Sequence, residues 1–383
     1  MDNSNSSAGK SVHSTADSIG QMLRLHHERS KYPRPVSTFF DLDEHDPYFS
    51  EDVNGLLYGE AWESVLIEDG NNALVHAYAC SPISSTGLYD VEPLMGYSGM
   101  LANTTQAEFL QAALAEYSAF CRHRGVVAEL LRFSPMMRNH EPLDGLFGGL
   151  RLTEQKPIAY IRLSTDHEAM LATYARDCRT KVRKGLRRYE HRELLKSSPE
   201  WDLFVAMYRR SMQALGANPA WLFDSAFFER LRNSPRCLLL GTFAGDAPLT
   251  LSTFLLGRKT GYFFLCCNNY DVQSRAGASN SNMHFAAIEV RRHGCDWLCL
   301  GGGNSEDRQD PLMRFKMSLA REIRPLPLGF FCHNQEKLDE LYAQADSESP
   351  EAASSRLFLR YRLAPSFRAG RMKTVVSGEP GVS

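Results

Sequence analysis

The 383-residue sequence contains no long hydrophobic run. No stretch approaches the roughly 18 consecutive apolar residues that a membrane-spanning helix needs, so we expect no membrane span. The chain also lacks an excess of charge of either sign, because 43 basic and 45 acidic residues leave a formal net charge of −2. A global electrostatic field therefore does not draw it to nucleic acid, and any such partner would have to be held by a local basic patch.

Paired cysteine spacing is missing as well. None of the nine cysteines forms a C-x-x-C pair, the spacing typical of zinc sites, so we expect no metal. Scattered thiols of this kind are typical of buried, reduced cysteines. The first 17 residues are rich in Ser and Asn and lack the apolar core of a signal peptide. We therefore predict a disordered tail and lead-in over residues 1–36, a cytoplasmic location and no tightly bound cofactor; the oligomeric state stays open.

What the sequence does contain is an alternation of strand and helix patterns that occurs twice. In residues 37–164 these patterns predict four strands, one helix and a turn at Asp69-Gly70. The predicted elements, of which only the third is a helix, are Ala61–Ile67, Ala73–Ala79, Glu108–Arg124, Val126–Phe133 and Ile158–Leu163.

Residues 165–332 repeat this mixture. Two helices precede a three-strand meander, another helix and a last strand: Trp201–Leu215, Ser225–Arg232, Cys237–Phe243, Leu249–Leu256, Gly261–Cys267, Asn282–His293 and Asp296–Leu300. The halves predict an α/β (α+β) fold of two tandem domains, 37–164 and 165–332, each with a mixed, mostly antiparallel sheet flanked by helices.

The last residues, 333–383, form a third segment. They predict an amphipathic helix at Gln335–Ala345, a polar linker at Asp346–Ser355, and a basic tail without any acid from Arg356 to Lys373. One arrangement that we expect is that this segment packs on the first domain.

The most basic stretch of the chain follows a capping-box pattern, Thr165 with Glu168 three residues later. From Arg176 to Arg192, eight basic residues stand against two acids, which is more than pairing along a helix requires. One interpretation is a solvated helical face. The other is a surface that contacts the phosphates of an RNA or a nucleotide.

The most informative run extends from Leu298 to Lys316. An apolar strand ends in three glycines, and after a polar loop Asp310 opens a helix that carries Phe315 and Lys316 side by side. Ligands bind beyond strand ends in open α/β sheets, and a fixed cation there can stabilise a developing oxyanion. Structural interpretations also exist: Lys316 as a solvated side chain, Phe315 as core, Asp310 as an N-cap before a proline, and the glycines as a tight turn.

Together with three further motifs, this run resembles the Fem-type (FemABX-like) branch of the GNAT superfamily, whose members carry two acyltransferase domains on one chain. The matching pieces follow the family order: Tyr97-Ser-Gly99, Arg132-Phe-Ser-Pro135 with Asn139, Arg179-Thr-Lys-Val-Arg-Lys-Gly185, Gly301-Gly-Gly303, Asp310-x-Leu312 and Phe315-Lys316. The order of predicted elements in the second half is also that of a GNAT core.

The resemblance implies an enzyme that transfers an acyl group to an amine of a small molecule or peptide, typically an aminoacyl group from a charged tRNA. It implies that Lys316 stabilises the oxyanion or the donor's terminal nucleotide, with Phe315 packed or stacked beside it and Asp310 as a second catalytic candidate. The donor or substrate contacts that it implies are Tyr97, Arg132, Arg179, Arg183, Lys184, Gly301, Gly302 and Gly303.

Two other functions stay open. One is an N-acyltransferase that uses acyl-CoA or an acyl-carrier protein, for which Gln273–Gly277 resembles the GNAT pyrophosphate loop with one residue more. The other is a non-catalytic protein that binds RNA or a nucleotide on the same fold. For the base that accepts the proton of the amine, Glu306 and Asp307 are further, weaker candidates.

Overall fold

The computed structural model describes residues 23–92, 95–217, 221–272, 275–303, 307 and 309–368. Several predictions fall outside these residues: the N-terminal tail up to residue 22, part of the Gln273–Gly277 loop, Glu306, and Arg371 and Lys373 of the basic tail. Within the described ranges, no helix combines the length and the apolar character needed to cross a bilayer.

The described chain forms thirteen strands. Seven belong to the first half: β1 (Arg24–Arg29), β2 (Glu63–Glu68), β3 (Ala73–Ile83), β4 (Leu88–Glu92), β5 (Met100–Ala102), β6 (Val126–Arg132) and β7 (Leu150–Arg162). Six follow: β8 (Glu190–Leu194), β9 (Cys237–Ala244), β10 (Ala247–Leu256), β11 (Thr260–Asn268), β12 (Trp297–Gly301) and β13 (Glu322–Cys332).

Helices lie between and after these strands. They are α1 (Val36–Phe39), α2 (Glu51–Tyr58), α3 (Ala107–His123), α4 (His167–Ala172), α5 (Arg176–Arg188), α6 (Glu200–Ala214), α7 (Ser225–Asn233), α8 (Ala278–Arg292), α9 (Pro311–Leu319), α10 (Gln335–Glu348), α11 (Pro350–Ser354) and α12 (Pro365–Arg368).

The strands join into one continuous sheet. Its order is β1-β2-β3-β4-β6-β13-β7-β12-β11-β10-β9-β8, and β5 pairs with β3. Two strand pairs in the described chain, β4 with β6 and β11 with β12, are parallel, and the other pairs of named strands are antiparallel. Helices flank this sheet, so the predicted fold class, mixed and mostly antiparallel, is confirmed.

Strand β13 links the two halves of the sheet, and the sequence patterns did not predict it. It comes after the second half's helices, yet it lies between β6 and β7. Pro325 and Pro327 interrupt its apolar pattern, and proline within a run argues against a central strand because it has no N–H to donate. The structure accommodates Pro325 opposite Pro157, next to an irregularity in the pairing.

The predicted capping box is wrong by one residue. Asp166, not Thr165, caps α4, since its carboxylate accepts a hydrogen bond of 2.9 Å from the Ala169 N–H. The basic stretch is also not one helix, because α4 ends at Ala172, α5 begins at Arg176, and the sequence after α5 continues into β8.

The C-terminal segment differs from its prediction in two ways. The expected linker contains the end of α10 and all of α11, which Ser349 caps through the Ala352 N–H. The expected basic tail is partly neutralised by distant acids, because Arg360 pairs with Asp346 and the buried Arg362 pairs with Asp90. Acids that lie far away in the sequence cannot be recognised from a local count.

The C-terminal segment packs on the first half of the sheet. Leu338 and Leu341 of α10, with Tyr361, form a buried cluster with Ile83 of β3 and Val127 of β6. Two other cores lie on opposite faces of the second half's strands. One contains α6 and α7, and the other contains α4, α5, α8 and α9.

Candidate active site

Strands β11 and β12 separate shortly after they begin. Their parallel pairing ends at Tyr262 opposite Cys299, while β11 continues to Asn268 alongside β10. A β-bulge lies in the part of β11 that has left β12, because Phe264 and Leu265 together oppose the single residue Thr253. Bulges bend a strand and are common next to active sites. We call the resulting wedge between the two strands the β11–β12 split.

Lys316 of α9 projects to the end of β12. Its Nζ donates a hydrogen bond of 2.6 Å to the Gly302 carbonyl oxygen and lies 5.9 Å from the centre of the Phe263 ring. The side chain is only 7% exposed. Burial lowers the pKa of Lys316 to about 8, against smaller opposing effects of Cys299 and Asp310. A lysine held this way carries a positive charge near neutral pH but can release a proton.

Asp310 starts the helix that carries Lys316. Its Oδ1 accepts a hydrogen bond of 2.9 Å from the Met313 N–H, so it is the N-cap, followed by a proline. Its carboxylate is largely buried and acts on the pKa of Lys316. The predicted cap is therefore confirmed, and the same carboxylate also supplies a nearby negative charge for the lysine.

The glycines at the end of β12 leave room for these side chains. Gly301 has a φ of +76°, and a Cβ there would lie 3.3 Å from Lys316 Nζ and 3.5 Å from the Tyr97 hydroxyl. A Cβ on Gly303 would lie 2.7 Å from Asp310 Oδ1. The run of glycines thus allows the backbone to pass between a cation, a carboxylate and a phenol.

The first half supplies Tyr97 on a tightly fixed loop. The Asn139 side-chain amide donates hydrogen bonds of 2.7 and 2.8 Å to the carbonyls of Ser98 and Met100. Gly99 has a φ of +63°, and a Cβ there would lie 2.5 Å from the Phe133 ring. The Tyr97-Ser-Gly99 and Arg132-Phe-Ser-Pro135…Asn139 motifs therefore form one structural unit that holds Tyr97 at the split.

Four tyrosines, which we call the tyrosine cluster, meet on one side of the split: Tyr48, Tyr97, Tyr160 and Tyr262. Tyr160 and Tyr262 flank Cys299 on the neighbouring strands, since both are its register partners. Burial raises the pKa of the Cys299 thiol to about 12. The thiol is therefore neutral, which argues against a covalent role as a nucleophile.

Helix α5 presents basic side chains beside the start of α8. A Cβ on Gly185 would lie 2.7 Å from the Gly277 carbonyl oxygen, so glycine allows α5 to pack closely on the start of α8. Arg179 donates hydrogen bonds to the Ala172 and Tyr174 carbonyls, at 3.0 and 2.9 Å, and so closes the end of α4. The exposed Arg183 pairs with Glu168 at 2.9 Å.

The other basic residues of α5 are exposed, and no ion pair is found for them among the described residues: Arg176, Lys181, Lys184, Arg187 and Arg188. Of the three predicted donor contacts on this helix, Lys184 is thus the one without a structural partner there. Whether any of them contacts a donor stays a prediction.

Phe315 and Arg132 occupy neighbouring but different positions. Phe315 packs against the core beneath α9, and the ring that faces Lys316 Nζ is Phe263. Arg132, at the end of β6, is half-buried and opposes the rise that burial causes in the pKa of Tyr97. Arg132 therefore lies close enough to the tyrosine cluster to influence it, and the roles predicted for both residues stay predictions.

Comparison with known proteins rests on structure alone. No family model matches the sequence, and no curated protein matches it significantly. FemX is similar in structure, with a TM-score of 0.55 at 11% identity, over 73% of this chain and 89% of FemX. The C-terminal domain of a putative lysylphosphatidylglycerol synthetase from Agrobacterium fabrum follows, with a TM-score of 0.51 at 14% identity, over 79% of this chain and 92% of that domain.

A third similar structure has two GNAT domains on one chain. It is a tandem GNAT protein from the clavulanic acid biosynthesis pathway, with a TM-score of 0.50 at 11% identity, over 80% of this chain and 98% of that protein. The chain has a tandem GNAT fold of the Fem type. At these identities the similarity establishes the fold, and the activity has to be inferred from the residues of the site.

Within this Fem-type fold, sequence patterns missed part of the site. Tyr48 comes from a short 3-10 turn before α2, where no motif or periodicity marks it. Tyr160 lies within β7, where an apolar strand pattern predicts only a core residue. The pairing of β12 with both β7 and β11 brings Tyr160 and Tyr262 together, and such pairing is not visible in the sequence.

Proposed function

We propose that this protein is an acyltransferase that forms an amide bond, and that it transfers an aminoacyl group from aminoacyl-tRNA to an amine acceptor. The observation that carries the proposal is Lys316, a buried amine held at the end of β12 beside the β11–β12 split. Amide formation needs a positive charge where the carbonyl oxygen becomes negative. Lys316 meets that need, and its lowered pKa allows it to donate a proton to the leaving group.

In this mechanism the acyl carbonyl lies in the split. Where β11 and β12 no longer pair, their backbone N–H and C=O groups can form hydrogen bonds with an extended donor or acceptor. Lys316 stabilises the tetrahedral oxyanion, Tyr97 contacts the reacting groups from the first half, and Gly301 allows both to approach. Asp310 caps α9 and opposes part of the fall that burial causes in the pKa of Lys316. We assign this catalytic site to the second domain, 165–332, with 37–164 as the contributing first domain.

A polyanionic donor is favoured by helix α5. Its exposed basic side chains, which include Lys184 and Arg187, lie beside the start of α8 because Gly185 allows close packing there. Basic surfaces bind RNA phosphates in a salt-dependent way. This arrangement supports tRNA as a partner, with the aminoacyl end in the split. Phe315 and Arg132 are proposed as weaker donor contacts.

An acyl-CoA or acyl-carrier-protein donor is the second candidate. Helix α8 follows β11, and Gly277 at its N-cap has a φ of +86° without a side-chain cap. Helix N-termini of this kind bind phosphates, which both donors carry. The choice between the two donors must be decided by experiment.

The test supplies both donor classes with a panel of amine acceptors. We expect amide product from charged tRNA, its loss after ribonuclease treatment, and a strong decrease of tRNA binding as salt rises. Charge reversal at Lys184 and Arg187 together should weaken tRNA binding and reduce its salt dependence, whereas reversal of the exposed Lys337 on α10 should not. Product formation that resists ribonuclease and requires acyl-CoA would replace the leading donor with the second.

A further inference from the structure

A short segment of the first half, residues 43–48, lies against the second half's sheet. Asp43 forms an ion pair with Arg236. Tyr48 packs edge-on against Tyr262, with ring centroids 5.0 Å apart. The segment therefore brings its side chains to the tyrosine cluster.

Asp46 of this segment is a buried carboxylate. It is 5% exposed, and the Ser134 hydroxyl donates a hydrogen bond to it. Ser134 is itself fixed, because its N–H donates a bond of 3.0 Å to Asn139. No ion pair joins Asp46 to a basic side chain in the described parts of the chain. A buried carboxylate without a cation is costly, so its retention at this position calls for a function.

Tyr262 connects this carboxylate with the site. Its hydroxyl is fully buried, makes no well-formed hydrogen bond with the described residues, and still acts on the pKa of Asp46. The Tyr160 hydroxyl is likewise buried and makes no well-formed hydrogen bond with the described residues. The charge of Asp46 also raises the pKa values of Tyr48, Tyr160 and Cys299. Burial raises the pKa of Asp46 more than Ser134 and Tyr262 lower it, which makes it a better proton acceptor near neutral pH.

The other carboxylates near the site are already used or lie apart. Asp310 caps α9 through the Met313 N–H. Asp307 is exposed and accepts a hydrogen bond of 2.8 Å from the Gln309 N–H within its own loop. The Asp46 carboxylate, by contrast, accepts its hydrogen bond from the Ser134 hydroxyl, and the Tyr262 hydroxyl lies close enough to act on its pKa.

We propose that Asp46 is the positioning residue that accepts, through the Tyr262 hydroxyl, the proton released by the attacking amine; the inference rests on the proposed function. As the neutral amine attacks, a C–N bond forms and the nitrogen becomes positively charged. Its proton passes to the Tyr262 oxygen while the Tyr262 proton passes to Asp46. The C–O or C–S bond to the donor then breaks, and Lys316 protonates the leaving atom. Asp46 finally loses its proton to solvent, and Lys316 regains one.

The test compares Asp46→Asn and Tyr262→Phe with Tyr117→Phe, measuring kcat and the acceptor KM across pH. Tyr117 is the matched control, because its buried hydroxyl donates a 2.8 Å bond to the carboxylate Glu129 in the first half. General-base catalysis contributes about 100-fold to 10,000-fold. We expect Asp46→Asn to lower kcat by about 100-fold and to leave the acceptor KM unchanged. In this variant, kcat should no longer decrease at acid pH. Tyr262→Phe should do the same, and Tyr117→Phe should leave kcat unchanged.

A second measurement does not depend on turnover. Infrared difference spectra on acidification of the wild-type protein should show a protonated carboxyl band that Asp46→Asn lacks, and that appears at higher pH than for an ordinary aspartate. A folded Asp46→Asn variant with normal kcat and a normal acid limb, while Lys316→Ala is inactive, would overturn this inference and leave the proposed function standing. A wild-type protein that forms no amide from either donor would overturn both.

Discussion

The two halves of the sheet each contain one parallel strand pair, and they differ in how the charges beside it are neutralised. In the first half, Asp90 of β4 and Glu129 of β6 are both buried. Asp90 binds Arg362 with an Nη2–Oδ1 distance of 2.6 Å. Glu129 binds His76 at 2.5 Å and accepts a 2.8 Å hydrogen bond from Tyr117. Each buried charge has an opposite or donating partner.

Beside the parallel pair of the second half, Lys316 and the first half's Asp46 form no ion pair with the described residues, although Asp310 supplies a nearby negative charge. Lys316 bonds only to a backbone carbonyl, and in the described chain it forms no ion pair with a carboxylate. Asp46 accepts a hydrogen bond from the Ser134 hydroxyl, and the buried hydroxyls of Tyr160 and Tyr262 lack well-formed hydrogen bonds to the described residues. Perturbed, unpaired groups cluster at functional sites. From this comparison we infer that the paired charges of the first half stabilise the fold, and that the unpaired groups beside β11 and β12 are available for the proposed chemistry.

Removal of the Glu129 charge in the first half should have the largest effect on stability. The variant Glu129→Gln leaves two buried histidines without their carboxylate, which typically costs about 3–5 kcal/mol. We expect a lower free energy of unfolding in urea, with normal kcat for the fraction that stays folded. The control Glu340→Gln, at an exposed pair with Lys337, should not change stability measurably. A Glu129→Gln variant that is stable yet inactive would break the comparison.

The same carboxylate should make the first half sensitive to acid. Burial raises the pKa of Glu129, but His76 and His333 outweigh this and lower it from 4.5 to about 2. Because the folded pKa is the lower one, this stabilisation is complete above about pH 4.5 and is lost as the pH falls towards 2. Urea unfolding at a series of pH values should show this loss in the wild type and a smaller one in Glu129→Gln. Equal acid sensitivity of both proteins would contradict the role assigned to Glu129.

Two glycine substitutions should have smaller effects, and their comparison distinguishes backbone strain from crowding of the site. Gly301→Ala places a Cβ near Lys316 and Tyr97, whereas Gly294→Ala places one in open space at a φ of +92°. Both substitutions should cost about 1 kcal/mol of stability, because alanine disfavours positive φ. Only Gly301→Ala should also reduce kcat, by about tenfold. Equal kcat values for the two variants would show that the space beside Gly301 does not matter.

The mildest test titrates Lys316. Its pKa of about 8 places the loss of its positive charge at slightly alkaline pH, so the rate should fall as the pH rises above about 8. In Lys316→Arg the remaining activity should lack this alkaline limb, because arginine does not deprotonate in that range. The pH dependence of kcat checks both. An alkaline limb that persists in Lys316→Arg would assign the titration to another group.

Sequence patterns predicted part of the elements of both halves, because apolar periodicity and glycine turns act locally, but they did not predict β1, β4, β5 and β8. The Asp69-Gly70 turn and the Asp310 cap are confirmed on this basis. Strand β13 was not predicted, because Pro325 and Pro327 interrupt its apolar pattern. Arg362 was assigned to a basic tail, because its partner Asp90 lies far away in the sequence, in β4. For the site, motifs indicated Lys316 and Tyr97. Asp46 and Tyr262 depend on contacts between the halves, which no local pattern encodes.

The central claim is that the β11–β12 split, with Lys316, is where the chemistry occurs. The most direct measurement is the rate of amide formation by Lys316→Ala, with the exposed Lys337→Ala of α10 as its control. The account predicts that Lys316→Ala stays folded and loses about 100-fold to 1,000-fold in kcat, while the control keeps the wild-type rate. A folded Lys316→Ala protein that forms amide as fast as the wild type would contradict the account.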